Sequence, residues 1–256
     1  MIEGSTPSSI SRTRPNLVAD GETCATLSCG DLKVIQPRRG YRFSLDAYLL
    51  AAFVDEKPGG HALEIGSGSG VIAIMLAGIK GLKVTGVEVQ PVLVGMSRRS
   101  VALNGLKGDI NIIESDIKEY HASPVTAVIA NPPYRPLKAG RLNPECGKAV
   151  ARHELKLDLD SLIGSVNEHL HRLGRFYCIY PAWRMIDLIS AMRRHRLEPK
   201  RLIMVHSYAD RPAELCLVKG IKDGGRELAV EAPFVVYQTQ GIYSERMTRL
   251  FTTLAL

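Results

Sequence analysis

From residue 60 onward the apolar residues of this chain alternate between two patterns. Short, nearly continuous apolar runs ("HALEIG", "LKVTGVE", "DINIIESD", "VTAVIANPPY") read as buried strands. Between the first of them lie stretches with apolar residues at helical spacing, "GVIAIMLAGIK" and "PVLVGMSRRSVALNGL". Pro91 stands at a helix-starting position and Asn104-Gly105 at a helix stop. After a polar loop, "DLDSLIGSVNEHLHRLG" predicts a helix, "RFYCIY" a strand and "PAWRMIDLISAMRRHRL" a further helix. "RLIMVHS" and "ELCLVKGIK" predict two closing strands. This alternation predicts an α/β fold, a mostly parallel sheet with helices on both faces. The two closing strands lack a long helix between them, which predicts an antiparallel strand at one edge.

The first 28 residues, including "MIEGSTPSSISRTRPN", hold too little apolar surface to pack and are expected to be a disordered leader. Residues 29–256 are expected to form a single domain, with 29–58 a strand-plus-helix preface and 59–256 the core. A chain of 256 residues supports one core of that size. No apolar run reaches the length of a signal peptide or a membrane span. The five cysteines are odd in number and form no CxxC pair, so they read as reduced thiols of a cytoplasmic protein, with no metal site. The net charge of +7 favours a polyanionic partner, nucleic acid before membrane. Nothing in the sequence fixes the oligomeric state, and a monomer is the simplest expectation.

The stretch "LEIGSGSGV" places Gly66, Gly68 and Gly70 between the first core strand and its helix. Glycines there let a ligand approach the backbone and leave helix-start N–H groups facing it. Glu88, at the end of the next strand, can accept hydrogen bonds from both hydroxyls of a ribose. Asp116 and Ile117, after the third strand, can flank an adenine ring. A plain strand-to-helix turn would use the same glycines, and the spacing G-x-G-x-G departs from the dinucleotide fingerprint. The carboxylate of Glu64 would repel a pyrophosphate and suits a cofactor with an amino group and a positive centre. S-adenosylmethionine has both.

"NPPYR" follows the fourth strand, and two prolines continue neither a strand nor a helix. The lone pair of an exocyclic aromatic amine is delocalised, so its nitrogen is a poor nucleophile. The side-chain oxygen of Asn131 and the carbonyl of Pro132, held rigid by Pro133, can accept its two N–H bonds and draw it toward a pyramidal geometry. Tyr134 offers a stacking face, worth about 1–3 kcal/mol for a base. Catalysis would then rest on positioning and electrostatics.

The series "LEIGSGSG", "GVE", "SDI" and "NPPY" resembles the motifs of class I, Rossmann-like S-adenosylmethionine-dependent methyltransferases that act on exocyclic nitrogen. The likeness covers roughly residues 60–220. Flanking stretches, "IQPRRGYRFSLDAYLLAAF", "GRLNP", "ARHE" and "VVYQTQGIYSERM", are similar to the bacterial tRNA1(Val) adenine-N6-methyltransferase family. Its members methylate adenine 37, beside the anticodon. The resemblance implies a seven-stranded sheet, S-adenosylmethionine held by Glu64, the glycine turn, Glu88, Asp116, Ile117 and Asn131, and tRNA as partner. Competing readings are a glutamine-amide methyltransferase acting on release factors, a guanine-N2 rRNA methyltransferase and a non-catalytic nucleotide-binding module. The first usually has a longer N-terminal helical domain, and the last leaves NPPY unexplained.

Other residues carry weaker signals. Arg42, Phe43 and Asp46 have a spacing that can reach the cofactor pocket, or can serve as a helix cap and a packed ring. Arg152 and His153, in "ARHE", lie near the substrate by the resemblance and otherwise read as a polar helix start. His169 and His171 are two apart on a helix and do not share a face. Trp183 reads first as a packed residue, although an aromatic past a strand end can touch a base. Arg193, Arg194 and Arg196 form the densest basic stretch, either a solvated helix end or a phosphate contact.

Overall fold

The computed structural model describes residues 17–40, 42–132 and 159–256. Two short strands open the fold, β1 (Glu22–Thr26) and β2 (Lys33–Pro37), followed by α1 (Leu45–Phe53). The alternating core is β3 (His61–Ile65), α2 (Val71–Gly78), β4 (Lys83–Glu88), α3 (Pro91–Leu103), β5 (Ile110–Glu114) and β6 (Val125–Ala130). It continues with α4 (Leu159–His169), β7 (Leu170–Pro181), a 3-10 turn (Ala182–Arg184), α5 (Met185–Arg194), β8 (Leu197–His206) and β9 (Ala213–Lys222). Short strands β10 (Ala229–Val230), β11 (Phe234–Val235), β12 (Tyr237–Thr239) and β13 (Ile242–Tyr243) precede α6 (Glu245–Thr253).

Seven of these strands form the expected sheet, in the order β5-β4-β3-β6-β7-β9-β8. Strands β3 to β7 pair in parallel. The antiparallel strand is β9, one position in from the edge strand β8, and it runs against both its neighbours. Beyond β8 lie the two-residue strands β10 and β11, each parallel to it.

Both faces of the sheet are covered, and alternate strand residues serve opposite cores. Ala62, Ala127, Ile129, Tyr177 and Ile179 pack with α1, α2 and α6. Leu63, Val128, Ala130, Phe176 and Cys178 pack with α4 and α5. This is why the runs lack a polar face: a parallel sheet covered on both sides has none.

Two boundaries differ from the sequence reading. Residues 17–28 fell within the expected disordered leader, yet Glu22–Thr26 form β1 and pair antiparallel with β2. The hairpin is docked on α3. Ser100 Oγ accepts from the Ile35 amide at 2.8 Å, and Asn104 bonds both the amide and the carbonyl of Lys33. Arg99 grips Glu22 through two contacts of 2.6 Å, and that hydrogen-bonded pair holds the Glu22 carboxyl below its usual range. The second boundary is the helix over 158–174, which stops at His169. The His169 ring, between the carbonyls of Ser165 and Tyr120, closes that end, and Leu170 already pairs with Val125 as β7.

Gly70 starts α2 in the left-handed region, with φ +81°, and a Cβ there would collide with Ser97 Oγ of α3. Gly95 lies inside α3, with nothing within 4 Å of its Cβ position. Gly70→Ala should therefore cost about 1–3 kcal/mol, whereas Gly95→Ala should gain about 0.5–1 kcal/mol. Urea unfolding of both variants checks the opposite signs.

Candidate active site

The strand register brings the motifs together. Ile113, Val87, Ile65, Ala130 and Cys178 form one row across five strands. The next residues along are Glu88, Gly66 and Asn131, so the ribose candidate, the glycine turn and the first residue of NPPY all leave the sheet at one level. Ligands of open α/β sheets bind at this carboxyl-end rim.

Glu88 ties the rim together. It is 5% exposed. Its Oε2 accepts from the Gly68 amide and its Oε1 from the Gln90 amide, both at 2.9 Å. A carboxylate has about four acceptor sites, so two remain for hydroxyl donors. Next to it, the Ser115 amide donates to the Glu88 carbonyl at 3.1 Å and sets where the chain turns toward Asp116. Asp116 is half-buried, and its Oδ1 accepts from the Lys118 amide. Ile117 is buried in the core with Ile65 and Val87. An adenine ring at this rim would meet Asp116 and the backbone more than the Ile117 side chain.

The glycine turn carries positive φ at Gly66, Gly68 and Gly70. A Cβ at Gly66 or Gly68 would meet nothing within 4 Å among the described residues, which leaves the backbone open to a ligand from that side. Its amides, however, are largely spent. Gly66 and Ser67 donate to Val87 O, Gly68 donates to Glu88 and Gly70 donates to Ser67 O. A phosphate cradle needs such amides free. Four of the five between Gly66 and Gly70 are already donated internally, which argues against a pyrophosphate more directly than glycine spacing does.

Glu64, expected to help hold the cofactor, lies deeper than the rest of the rim. The structure places it beneath the turn, 2% exposed, with Oε2 accepting from the Ala73 amide at 3.0 Å in the first turn of α2. Burial pushes its pKa up to about 8, the Ala73 bond opposes this, and the charge of Glu88 adds to it. The Glu64 carboxyl therefore holds its proton to higher pH than an exposed carboxylate does. A bound cation nearby would favour the charged form. The open backbone, the acceptors of Glu88 and this buried carboxyl together fit S-adenosylmethionine, which is cationic and carries no phosphate.

Residues 44–146 match the family described as the methyltransferase small domain. The tRNA1(Val) (adenine(37)-N6)-methyltransferase of Porphyromonas gingivalis is 29% identical over 225 residues, 82% of this chain and 86% of that protein. Among solved structures, a predicted O-methyltransferase from Agrobacterium tumefaciens superposes with a TM-score of 0.65 at 20% identity, covering 82% of this chain and 97% of that one. The geranyl diphosphate C-methyltransferase of Streptomyces coelicolor, solved with S-adenosyl-L-homocysteine, gives 0.52 at 15% identity over 69% and 76% of the two chains. The chain has the class I methyltransferase fold.

The other candidate residues distribute unevenly. Pro132 is half-buried next to Asn131, whereas Pro133, Tyr134, Arg152 and His153 lie outside the described residues. Arg42 donates to Thr23 Oγ1 at 3.4 Å. Phe43 packs against the core and lies 6.2 Å from the Tyr48 ring, and Asp46 sits in the first turn of α1. Of these three, Phe43 packs as a core ring and Arg42 reaches β1.

For Arg193, Arg194 and Arg196 the structure favours the solvated helix end over the phosphate contact. Each is ion-paired, Arg193 to Glu198 at 3.3 Å, Arg194 to Asp160 at 2.6 Å and Arg196 to Asp223 at 2.7 Å. They also lie on the wrong rim. Glu198 shares a register row with Ile221, Arg175, Ala127 and Ala62. That row is three residues, about 10 Å along the strand, from the one that ends at the glycine turn. Trp183, read first as a packed residue, is 70% exposed.

Two outcomes test this site. Glu88→Ala should weaken S-adenosylmethionine binding at least tenfold in calorimetry, because the two ribose acceptors and the tether of Gly68 go together. The raised pKa of Glu64 means that the folded state binds more protons than the unfolded one. Stability of the ligand-free protein should therefore fall as pH rises from about 5 to 8, and Glu64→Gln should flatten that fall in thermal melts.

Proposed function

We propose that the chain methylates the exocyclic N6 of an adenine in tRNA, at position 37 of the anticodon loop, with S-adenosylmethionine as methyl donor. The observation that carries this is the emergence of Asn131 and Pro132 from β6 in the same register row as the glycine turn and Glu88. An amine acceptor thus stands beside the cofactor crevice. The adenine-37 activity named for the P. gingivalis relative supports the choice of substrate. Such a substrate places the protein in the cytoplasm, and no helix among the described residues is long and apolar enough to cross a membrane.

S-adenosylmethionine bound there would supply an electrophilic methyl group, its sulfonium sulfur retaining the bonding electron pair. Asn131 accepts one N6–H bond through its side-chain oxygen, and the Pro132 carbonyl accepts the other. These two acceptors localise the nitrogen lone pair toward the methyl carbon as the N–C bond forms. The nitrogen becomes positively charged and then releases a proton to water, so no ionised base is needed at the start. Glu88 holds the ribose, and Glu64 carries the countercharge beneath the turn. Tyr134 supplies the ring face against the target base, which must leave its stack to reach it.

Asn131→Ala should lower methylation of tRNA at least a hundredfold while leaving cofactor affinity within about threefold. Nucleoside mass spectrometry of the treated tRNA should show N6-methyladenine. Label from the cofactor on a glutamine of release factor, with none on tRNA, would overturn the assignment. The triple replacement of Arg193, Arg194 and Arg196 by Ala should leave the salt dependence of tRNA binding unchanged. A slope reduced by two or three contacts, about 0.7–0.9 log unit each, would return that cluster to the RNA surface.

A further inference from the structure

Methyl transfer leaves one feature of the catalytic rim unused. Trp183 is the single tryptophan of the chain. It is 70% exposed, and Ile186, three residues on, is 68% exposed. Both follow directly on β7, whose last residue, Pro181, lies three positions past Cys178. Cys178 is the register partner of Ala130, the residue before Asn131. The exposed indole therefore follows the strand next to the one that presents the amine acceptor, on the same rim.

The ring is also anchored. The Arg184 guanidinium lies 5.8 Å from the Trp183 ring centroid and 5.4 Å from that of Tyr180, which is buried. Arg184 Nε in turn reaches Asp187 Oδ2 at 3.3 Å. A cation thus links the indole to a fixed phenol and leaves apolar surface outward. Energetically this is a preorganised aromatic face with a positive edge.

We propose that Trp183 is the stacking platform for an unpaired nucleotide that flanks the target adenine, with Ile186 extending its floor and Arg184 bracing the indole. This rests on the tRNA reading above. A base drawn out of its stack leaves its neighbours exposed, and an aromatic ring beside the pocket restores stacking to one of them, worth about 1–3 kcal/mol. A second copy of this chain is a poorer occupant, because a stable dimer buries about 800 Å² on each partner and two side chains fall far short of that. The flanking base also explains why the exposed residue is aromatic and has a cation against it.

Because Trp183 is the only tryptophan, its fluorescence reports on the platform directly. The probe is an anticodon stem-loop RNA with the target adenine intact and, in two further versions, an abasic site on one side of the target or the other. The intact RNA should quench the emission, and one of the two abasic versions should lose most of that quenching. Trp183→Ala should raise KM for the intact stem-loop about tenfold, with kcat and cofactor affinity changed less than threefold. Trp183→Phe should recover most of the loss and Trp183→Leu little of it. The Trp183→Ala protein should melt at the wild-type temperature, as an exposed ring implies. Methylation at wild-type KM by Trp183→Ala, or equal quenching by all three RNAs, would overturn the platform and leave the tRNA activity standing. A wild-type dimer in sedimentation that Trp183→Ala dissociates would assign the ring to self-association instead. Absence of any tRNA methylation by the wild-type protein would remove the underlying activity, and the platform with it.

Discussion

The site depends on the parallel register that ends β3, β4 and β6 in a single row. Backbone hydrogen bonds set that register, and the two-sided burial of the sheet fixes it, because a slip of one residue would move every strand side chain to the opposite core. Given the row, the glycine turn, Glu88 and Asn131 have to emerge side by side. The Glu88 carboxylate then converts a shared level into a rigid rim, because it bonds the turn through Gly68 and the start of α3 through Gln90. One side chain thus connects two strand-to-helix crossings while its remaining acceptors face outward.

The electrostatics of the rim follow from burial more than from formal charge. Two carboxyls lie close together there, and they differ in environment. Glu88 bonds two amides, whereas Glu64 is buried deeper with one. Burial raises the pKa of the deeper carboxyl, and a cation bound nearby would favour its charged form. Consumption of the turn amides by Val87, Glu88 and Ser67 removes the usual attraction for phosphates. A cationic, phosphate-free cofactor is what this arrangement accepts best.

The parts of the site that were legible in the sequence are local. "LEIGSGSG", Glu88 and "NPPY" each sit at the end of a strand that periodicity alone marks, and the strand-to-helix alternation sets their common rim. What could not be read depends on distant partners. The segment "ETCAT" is too short and mixed to announce a strand, and it exists through pairing with β2 and the grip of Arg99 on Glu22. The burial of Glu64 is invisible to a reading that sees only its charge. The basic run at 193–196 was conspicuous, but its acids lie at 160, 198 and 223. Topology held an unused signal. Connections from strand to helix lie on the ligand rim and those from helix to strand on the opposite one. By that rule the run after α5 belongs away from the site and Trp183, after β7, belongs beside it.

The most direct measurement is a crystal structure of the protein with S-adenosylhomocysteine and an anticodon stem-loop. The account requires the ribose hydroxyls to lie within hydrogen-bond distance of the Glu88 carboxylate, about 2.5–3.0 Å, and the target N6 to lie within about 2.7–3.2 Å of the Asn131 side-chain oxygen. A cofactor bound away from the β3–β4 rim, or a target base that reaches the methyl position without touching Asn131, would contradict it.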